Sequence, residues 1–449
     1  MREYPYKALS VASDVREIIN TLKKNGFLGY VVGGAVRDLL LSIPVSDWDL
    51  ATDATPGQLI KIFPKVTPTG IRHGTVTVRY VRAQYELTTF RTDGDYAGQR
   101  RLERSCLTRN IEEDLRHRDF TINAMAYDPV TNKLIDPFGG QKDLRRKILR
   151  GVDDPLSRFM EDGLRPYRAI RFSLTLDLRI EEKTWKAIPL SLEKARATSW
   201  ERIRDEILKI LEATKPSKAF EMMRKTGLLA LVIPEVLEGY HKKDSPSGDV
   251  YHHLLDTVDA APPLPLLRLA CLLHDIGKAE LRKHLQTGYE SDAHQRVSVQ
   301  MADVITRRLR LSNHQRRYIH ELLKNHDLPL QTKLRGAEVR RFLSRVDPKV
   351  LDDLLILSKA HSKASGADAA EARRIDRLRE KSKQMLSEDT PLTVSQLAIN
   401  GETVKRILGI REGAQVGRIL GQLMEIVLEE PAKNNPHDLA RLVEEIGQS

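Results

Sequence analysis

Residues 31–40 read VVGGAVRDLL, a short β-type run that passes through Gly33 and Gly34 into a helix with an early arginine, Arg37. Glycine lets the backbone approach an anion closely, and a helix start offers N–H groups without intrahelical partners. The arginine adds a planar fork of donors. The segment therefore predicts a strand, turn and helix that receive phosphate, although a Gly-Gly strand end on its own is more often an ordinary turn.

Residues 46–50, which read SDWDL, place two aspartates two positions apart, Asp47 and Asp49. In a strand, residues i and i+2 share one side, so the two carboxylates are expected to lie together. Two like charges at that distance need a cation, and Mg²⁺ prefers oxygen ligands of this kind. The pair therefore predicts a magnesium site for in-line displacement at phosphorus, whereas an isolated Asp-x-Asp is usually a solvated turn.

The hydrophobic pattern divides the chain into a mixed part and a helical part. Residues 29–32, 74–80 and 85–90 read as strands, and the second and third runs alternate apolar with polar residues. From about residue 157 onward the apolar positions recur at helical spacing. We predict an α+β protein with a small mixed sheet in its first part, followed by a mainly helical remainder.

Taken together, these motifs resemble the nucleotidyltransferase family with a polymerase-β-like head, in the class that holds bacterial tRNA nucleotidyltransferases and bacterial poly(A) polymerases. The resemblance implies that Asp47 and Asp49 hold Mg²⁺ and that Gly33, Gly34 and Arg37 contact a triphosphate. It also implies four segments, namely a head (1–150), a helical neck (151–240), an HD-type helical domain (245–370) and a helical tail that contacts tRNA (385–449). Glu86 is a candidate auxiliary carboxylate, although an exposed strand glutamate is the default interpretation.

Residues 116–126, RHRDFTINAMA, are similar to a second motif of this family. The resemblance implies that Arg118 and Asp119 contact the phosphates and a ribose 2′-hydroxyl of the incoming nucleotide. His117 stands where the family has arginine, so no role carries over to it.

Residues 161–172, EDGLRPYRAIRF, are predicted to form one helix with Asp162, Arg165 and Arg168 on one face, and the default interpretation is an intrahelical ion pair. The segment resembles the family's Glu-Asp-x-x-Arg motif, which implies that Asp162 and Arg165 read the base of CTP and ATP. A carboxylate accepts from the amino group of cytosine or adenine, and guanidinium donates to their ring acceptors. Arg168 and Arg171 are expected to grip the triphosphate. Pro166 departs from the motif and is tolerated if it lies near the helix start.

Two further segments bear on the choice between family members. Residues 70–78 resemble the Gly-x-x-His-Gly-Thr-Val form of the tRNA enzymes, with the histidine at His73. Residues 91–109 are similar to the flexible loop associated with addition of the terminal A. We therefore expect full CCA addition to tRNA, with CC-only addition, A-only addition and poly(A) synthesis as alternatives.

The helical part contains a second candidate metal site on His253, His274, Asp275, His294 and His326. The string HDIGK at residues 274–278 resembles the HD phosphohydrolase fold, in which imidazoles and carboxylate hold divalent metals. The closing aspartate is expected near Ala360, where His361 stands instead. Two interpretations stay open, a working metal-dependent phosphohydrolase and a degenerate module that packs the body. A phosphohydrolase whose head only binds RNA is the alternative from another functional class.

The composition agrees with a polyanionic partner but does not require one. Lysine and arginine number 73 against 62 acidic residues, giving a formal charge of +11. The two cysteines lie far apart without metal-type spacing, which favours a reducing cytoplasm. No apolar run is long enough to predict a membrane span, and the sequence does not indicate an oligomeric state.

Overall fold

The computed structural model describes residues 9–70, 74–81, 83–92, 106–107, 110–241, 243–245, 248–284, 293–388, 391–410 and 413–447. Two compact units divide the chain, one of residues 1–202 and 225–228 and the other of residues 203–224 and 229–449. No helix among the described residues is long and apolar enough to cross a membrane. His73 and most of residues 91–109 lie outside the described part of the chain.

A seven-stranded mixed sheet dominates the described part of the first unit. Its spatial order is β3-β4-β5-β2-β1-β8-β9, with β2 and β5 parallel and the other neighbours antiparallel. The strands are β1 (Gly29–Val32), β2 (Asp49–Thr52), β3 (Val66–Gly70), β4 (Thr75–Tyr80), β5 (Ala83–Thr89), β8 (Ala126–Asp128) and β9 (Lys133–Ile135). Two short pairs accompany the sheet, β6 (Arg91–Thr92) with β7 (Cys106–Leu107) and β10 (Ile148–Leu149) with β11 (Arg179–Ile180).

Nine helices of the first unit flank or follow this sheet in the described residues. They are α1 (Ser13–Lys24), α2 (Gly34–Leu40), α3 (Pro56–Ile62), α4 (Ile111–Arg116), α5 (Gly140–Arg145), α6 (Pro155–Glu161), α7 (Arg165–Thr175), α8 (Glu182–Leu190) and α9 (Leu192–Arg196). A 3₁₀ turn, Thr121–Asn123, precedes β8. The side chains at the start of α6 favour a helix there: Asp154 caps α6 by accepting from the Ser157 N–H, and Pro155 fills the first helical position.

The core beneath the sheet joins strands to the helix and turn that follow them. Val32 of β1, Ala51 of β2 and Ala126 of β8 pack with Phe90 and Leu115 in one buried cluster. This packing fixes the ends of β1 and β2 against α4 and the 3₁₀ turn, and the polar motifs of the sequence follow directly on these elements.

The second unit is almost wholly helical in its described residues. Its elements are α10 (Trp200–Leu211), which starts in the first unit, α11 (Ser217–Thr226), α12 (Leu228–Val232), α13 (Pro234–Leu237), the pair β12 (Lys243–Ser245) and β13 (Gly248–Asp249), α14 (Val250–Ala260), α15 (Pro265–Leu273), α16 (Ile276–His284), α17 (Ala293–Arg308), α18 (Asn313–Asn325), α19 (Leu328–Gln331), α20 (Gly336–Arg345), α21 (Leu351–Ala364), α22 (Ala369–Ser387), α23 (Gly401–Leu408), α24 (Ala414–Glu429) and α25 (Pro436–Gly447). Helix α14 packs on α15 and α21, and α17 packs on α16 and α18.

The α+β class and the mixed sheet are confirmed, and two local predictions are wrong. Strand β2 begins at Asp49, so Asp47 lies in the bend before the strand rather than within it. Residues 161–172 form no continuous helix, because α6 ends at Glu161 and α7 begins at Arg165. Pro166 therefore sits in the first turn of α7, where it removes no helical hydrogen bond. The four-segment division stays a prediction.

The break between α6 and α7 depends on a close approach that only glycine permits. A β-carbon at the buried Gly163 would collide with the backbone carbonyl of Lys194 and lie 2.7 Å from the Thr198 hydroxyl oxygen. Because the obstructing atoms belong to the backbone of Lys194, moving a flexible side chain would not relieve the collision.

We expect Gly163→Ala to lower the free energy of unfolding by about 1–3 kcal/mol, because the added methyl group forces the turn away from residues 194–198. Urea unfolding followed by circular dichroism measures this loss. Gly57→Ala is the matched control, since a β-carbon there meets no atom within 4 Å. Equal stability of the two variants would show that the close approach does not constrain the turn.

Candidate active site

Three carboxylates gather at the start of β2. Asp47 and Asp49 are both exposed, and Glu86 of β5 is the register partner of Asp49 across the parallel ladder. Paired residues of neighbouring strands project on the same face of a sheet, so Glu86 shares the face of Asp49. The expected proximity of Asp47 to Asp49 is reflected in the pKa of Asp49, which the charge of Asp47 raises.

The pKa of Asp49 lies above its ordinary value, first because burial removes hydration and then because of Asp47. The Asp49 side chain is accessible to solvent, although protein atoms surround much of it. Three guanidinium groups, those of Arg118, Arg168 and Arg37, act in the opposite direction. The carboxylate pair thus lies close to three fixed positive charges, while burial and the neighbouring carboxylate keep the pKa of Asp49 raised.

The glycine turn brings backbone against these groups. Gly33 has φ 70° and ψ −135°, a conformation that favours glycine. A β-carbon there would lie 2.6 Å from Nη1 of Arg118 and 3.4 Å from Oδ2 of Asp49. The backbone angles of Gly33 therefore favour glycine, and any larger residue would also have to displace the Arg118 guanidinium group.

Arg37 is held inside the protein rather than extended toward solvent. Its Nη1 donates to Oδ1 of Asn123 at 2.7 Å, and its Nε donates to Asp38 at 2.9 Å. These contacts fix α2 to the 3₁₀ turn, and the triphosphate contact of Arg37 stays a prediction.

Asp119 is the buried centre of the site. Its Oδ2 accepts from Nε of Arg168 at 2.7 Å, and its Oδ1 accepts from the Asn123 amide at 3.0 Å and from the Phe120 N–H at 2.8 Å. Burial opposes ionisation, but Arg168 and Asn123 outweigh it and hold the pKa of Asp119 below its ordinary value. The carboxylate is therefore ionised, and it ties α7 to the 3₁₀ turn.

The ring of Phe172 contacts three arginines, one of α2 and two of α7. The guanidinium carbons of Arg37, Arg168 and Arg171 lie 5.1, 5.1 and 4.0 Å from the centroid of its ring. Cations are attracted to an aromatic face at these distances, so one ring orders three positive groups. The sequence did not single out Phe172 or Asn123, although both lie within the quoted motifs.

Asp162 and Arg165 lie on either side of the turn between α6 and α7, and they do not pair with each other. Asp162 accepts from Nη1 and Nη2 of Arg202 at 3.1 and 2.7 Å and from the Leu164 N–H at 3.0 Å. Burial raises the pKa of Asp162, but the hydrogen bonds from Arg202 and the Leu164 N–H lower it by more. The pKa of Asp162 therefore lies below its ordinary value. The intrahelical ion pair considered from the sequence is absent between these two residues, and Arg202 was missed because nothing in its local sequence marks it.

Arg165 is anchored at the same turn. It donates to Glu161 at 2.8 Å, to the Arg158 carbonyl at 2.8 Å and to the His117 carbonyl at 2.6 Å. The backbone of residue 117 thus positions this arginine. The imidazole of His117 contacts Nη1 of Arg158 at 3.4 Å.

The second unit brings together the histidines and the aspartate predicted from the sequence. His253, His274, Asp275 and His361 form one group of side chains able to hold a metal, and Asp275, His294 and His326 form another. Within each group the ligand atoms lie within 4.8 Å of one another. His361, expected to leave the set incomplete, takes part in the first group. Burial lowers the pKa of both His274 and His361 below the ordinary value of an imidazole.

Asp119→Asn is expected to lower the free energy of unfolding by about 1–3 kcal/mol at neutral pH, because Arg168 loses its charged partner. The folded-state pKa of Asp119 is depressed, so its stabilisation is present above the unfolded value of about 3.9 and is lost as pH falls through the lower folded value. The stability gap between wild type and variant should therefore narrow below about pH 4.

Thermal unfolding between pH 7 and 3 measures this gap, with Asp153→Asn as the control at an exposed ion pair. A gap that stays constant across the range would contradict the role assigned to the Asp119 charge.

Comparison with known proteins gives consistent results over nearly the whole chain. Residues 29–150 match the poly A polymerase head domain, and residues 177–239 match the probable RNA and SrmB-binding site of polymerase A. A CCA-adding enzyme of Lactobacillus helveticus is 32% identical over 96% of both chains. One from Geobacillus stearothermophilus is 45% identical over 47% of this chain and 52% of its own. The crystal structure of the Bacillus stearothermophilus CCA-adding enzyme in complex with CTP is similar with a TM-score of 0.73 and 29% identity over 97% of each chain.

Proposed function

Because the chain belongs to the CCA-adding enzyme family, we propose that it adds C, C and then A to the 3′ end of tRNA from CTP and ATP, with release of pyrophosphate. The observation that carries this proposal is the convergence of Asp47, Asp49 and Glu86 with the Arg118 and Arg168 guanidinium groups at one end of the sheet. We also propose a cytoplasmic location, in keeping with the reducing compartment expected from the two cysteines.

The carboxylates suit a hard divalent cation. Asp47 and Asp49, with Glu86 beside them, offer oxygen donors only, and the pKa of Asp49 is raised first by burial and then by the charge of Asp47. We propose Mg²⁺ as that ion. When bound, it supplies positive charge opposite the triphosphate and favours ionisation of the attacking hydroxyl group.

The chemistry is displacement at the α-phosphorus. The 3′-hydroxyl oxygen of the tRNA forms a bond to the α-phosphorus, the bond to the bridging oxygen of the β-phosphate breaks to release pyrophosphate, and the hydroxyl proton passes to solvent water. Arg168 and Arg171 supply guanidinium donors to the triphosphate from one face of α7, where Phe172 already orients them. Asp119 holds Arg168 in that orientation.

Base selection is assigned to the turn between α6 and α7. Arg202 and the Leu164 N–H orient the Asp162 carboxylate, which accepts from the amino group of cytosine or adenine. Guanine and uracil carry a carbonyl oxygen at that position, so two acceptors would face each other. The resulting unpaired group costs about 1–3 kcal/mol.

Addition of all three nucleotides, rather than C alone or A alone, rests on family membership and on the segments around His73 and residues 91–109. Incorporation from CTP alone, from ATP alone and from both nucleotides distinguishes these outcomes, and separates them from poly(A) synthesis.

Asp47→Asn and Asp49→Asn are each expected to reduce nucleotide incorporation by roughly 10³-fold or more, since metal-assisted stabilisation of the transition state is worth several kcal/mol. Labelled CMP and AMP incorporation into tRNA that lacks its 3′ terminal nucleotides measures this. Asp177→Asn, at an exposed aspartate paired with Lys147, is the matched control and should stay at wild-type activity. Appreciable activity in both site variants would refute the metal assignment.

Asp162→Ala is expected to lower discrimination against GTP and UTP by roughly 5- to 150-fold, in line with the cost of one unpaired buried group. Arg202→Gln should cause a smaller loss of discrimination, because the carboxylate is retained but loses its bidentate partner. Competition between nucleotides at fixed tRNA concentration gives the ratio of kcat/KM values directly. Unchanged ratios in Asp162→Ala would rule out the base-reading role, whereas a uniform loss for all four nucleotides would indicate a structural role only.

A further inference from the structure

His117 directly follows α4, at the position where the family motif has arginine. Its backbone carbonyl contacts Arg165 at the start of α7, and its imidazole contacts Arg158 of α6. These two contacts span 48 and 41 positions of sequence, so no local pattern predicts them. The fold thus places one residue against both arginines that lie on either side of the base-selecting turn.

Arg165 is held at its guanidinium end by three acceptors. Nη2 donates to the His117 carbonyl at 2.6 Å, and Nη1 donates to the Arg158 carbonyl and to Glu161, both at 2.8 Å. A guanidinium group carries five N–H donors. Among the described residues, three of them donate to the protein, which leaves two for the acceptor atoms of a base. The protein therefore fixes this group and still keeps donors for a ligand.

Glu161 joins Arg165 to a second arginine. Its Oε2 accepts from Arg165, and its Oε1 lies 2.6 Å from Nη2 of Arg158. Bonds between guanidinium and carboxylate are charge-assisted and directional, so one carboxylate sets the relative position of both groups. Glu161 thus links α6 to α7 across the turn.

Arg158 completes the set by returning to His117. Its Nη1 donates to the Arg116 carbonyl at 3.1 Å and lies 3.4 Å from Nδ1 of His117. A guanidinium group only donates, so Nδ1 is the acceptor and the neutral imidazole carries its proton on Nε2. Only 11% of the Arg158 side chain is exposed, so water competes little for these contacts.

The contacts form a closed circuit that begins and ends on one residue. It runs from the His117 carbonyl through Arg165, Glu161 and Arg158 to the His117 imidazole. Each guanidinium group contacts both the residue after α4 and the carboxylate of α6, so neither group can rotate without breaking contacts to two elements. An arginine side chain at position 117 has no acceptor atom and could not close this circuit.

We infer that His117 and Arg158 are positioning residues for base selection, because they hold the Arg165 guanidinium at the angle from which it donates to the ring acceptors of cytosine or adenine. The inference rests on the proposed function, in which Asp162 accepts from the amino group of the same bases. Neither positioning residue contacts the nucleotide. Arg202 orients the carboxylate and the circuit orients the guanidinium group, so the two base-reading side chains have separate supports.

Nucleotide competition in variants of position 117 tests the inference. His117→Leu removes the acceptor without adding a charge. We expect it to lower kcat/KM for CTP and ATP by about 3- to 10-fold relative to GTP and UTP, as for the loss of one hydrogen bond, with an unchanged KM for tRNA. His117→Asn should restore most of the wild-type ratio, because its amide oxygen replaces the Nδ1 acceptor. Arg116→Gln is the matched control, since it removes only an exposed ion pair with Asp153 and keeps the backbone carbonyl.

Arg158→Gln tests the other end of the circuit. It should lower the same ratio, and the double variant with His117→Leu should lose no more than the more affected single variant, because both changes break one circuit. Losses that multiply in the double variant, an equal loss in His117→Leu and His117→Asn, or a uniform loss for all four nucleotides would each overturn the inference.

Hydrogen exchange distinguishes a failure of this inference from a failure of the proposed function. Deuterium uptake by peptides covering residues 156–168 in the nucleotide-free protein should rise in His117→Leu and stay at the wild-type level in His117→Asn and Arg116→Gln. Wild-type protein that does not prefer CTP and ATP would refute base selection by this turn. Unchanged uptake in His117→Leu, or an unchanged nucleotide ratio, would overturn the role of the circuit.

Discussion

The ion pair between Asp119 and Arg168 is the interaction on which the candidate active site depends. It joins the segment after α4 to α7 across 49 positions of sequence, and both ends are held by other contacts. Asn123 binds the same carboxylate and also Arg37, so α2, the 3₁₀ turn and α7 form one hydrogen-bonded unit. Since a buried carboxylate without its partner is unfavourable, Arg168 cannot shift without breaking this set of contacts.

Much of the head could be read from the sequence because its signals are local. Alternating apolar residues gave β4 and β5, and the Gly33-Gly34 pair marked the turn into α2. The position of Asp47 could not be read in this way, because a strand's first residue is set by pairing with β1 and β5 rather than by its own sequence. The helical spacing of residues 162, 165 and 168 was equally misleading. Gly163 packs against Lys194 there, and that long-range contact interrupts the helix.

The side chains missed by the sequence are those whose partners are distant along the chain. Arg202 lies 40 positions from Asp162, and no spacing rule connects them. The contribution of His361 was also not evident from the sequence, since an aspartate was expected near this position, whereas Nδ1 of His361 lies 2.8 Å from Nε2 of His274, 87 positions earlier in the chain. Residue type at one position thus underdetermines a site, because geometry decides which neighbouring donor atoms can be used.

The contact between Arg202 and Asp162 bears on how segments could be exchanged among relatives. A transplanted fragment that carries the turn between α6 and α7 but ends before residue 202 would separate the carboxylate from the guanidinium group that orients it. Such a chimaera could keep every residue of the local motif and still present the carboxylate at the wrong angle. The smallest exchangeable module for base preference therefore extends into the first turn of α10, well beyond the motif itself.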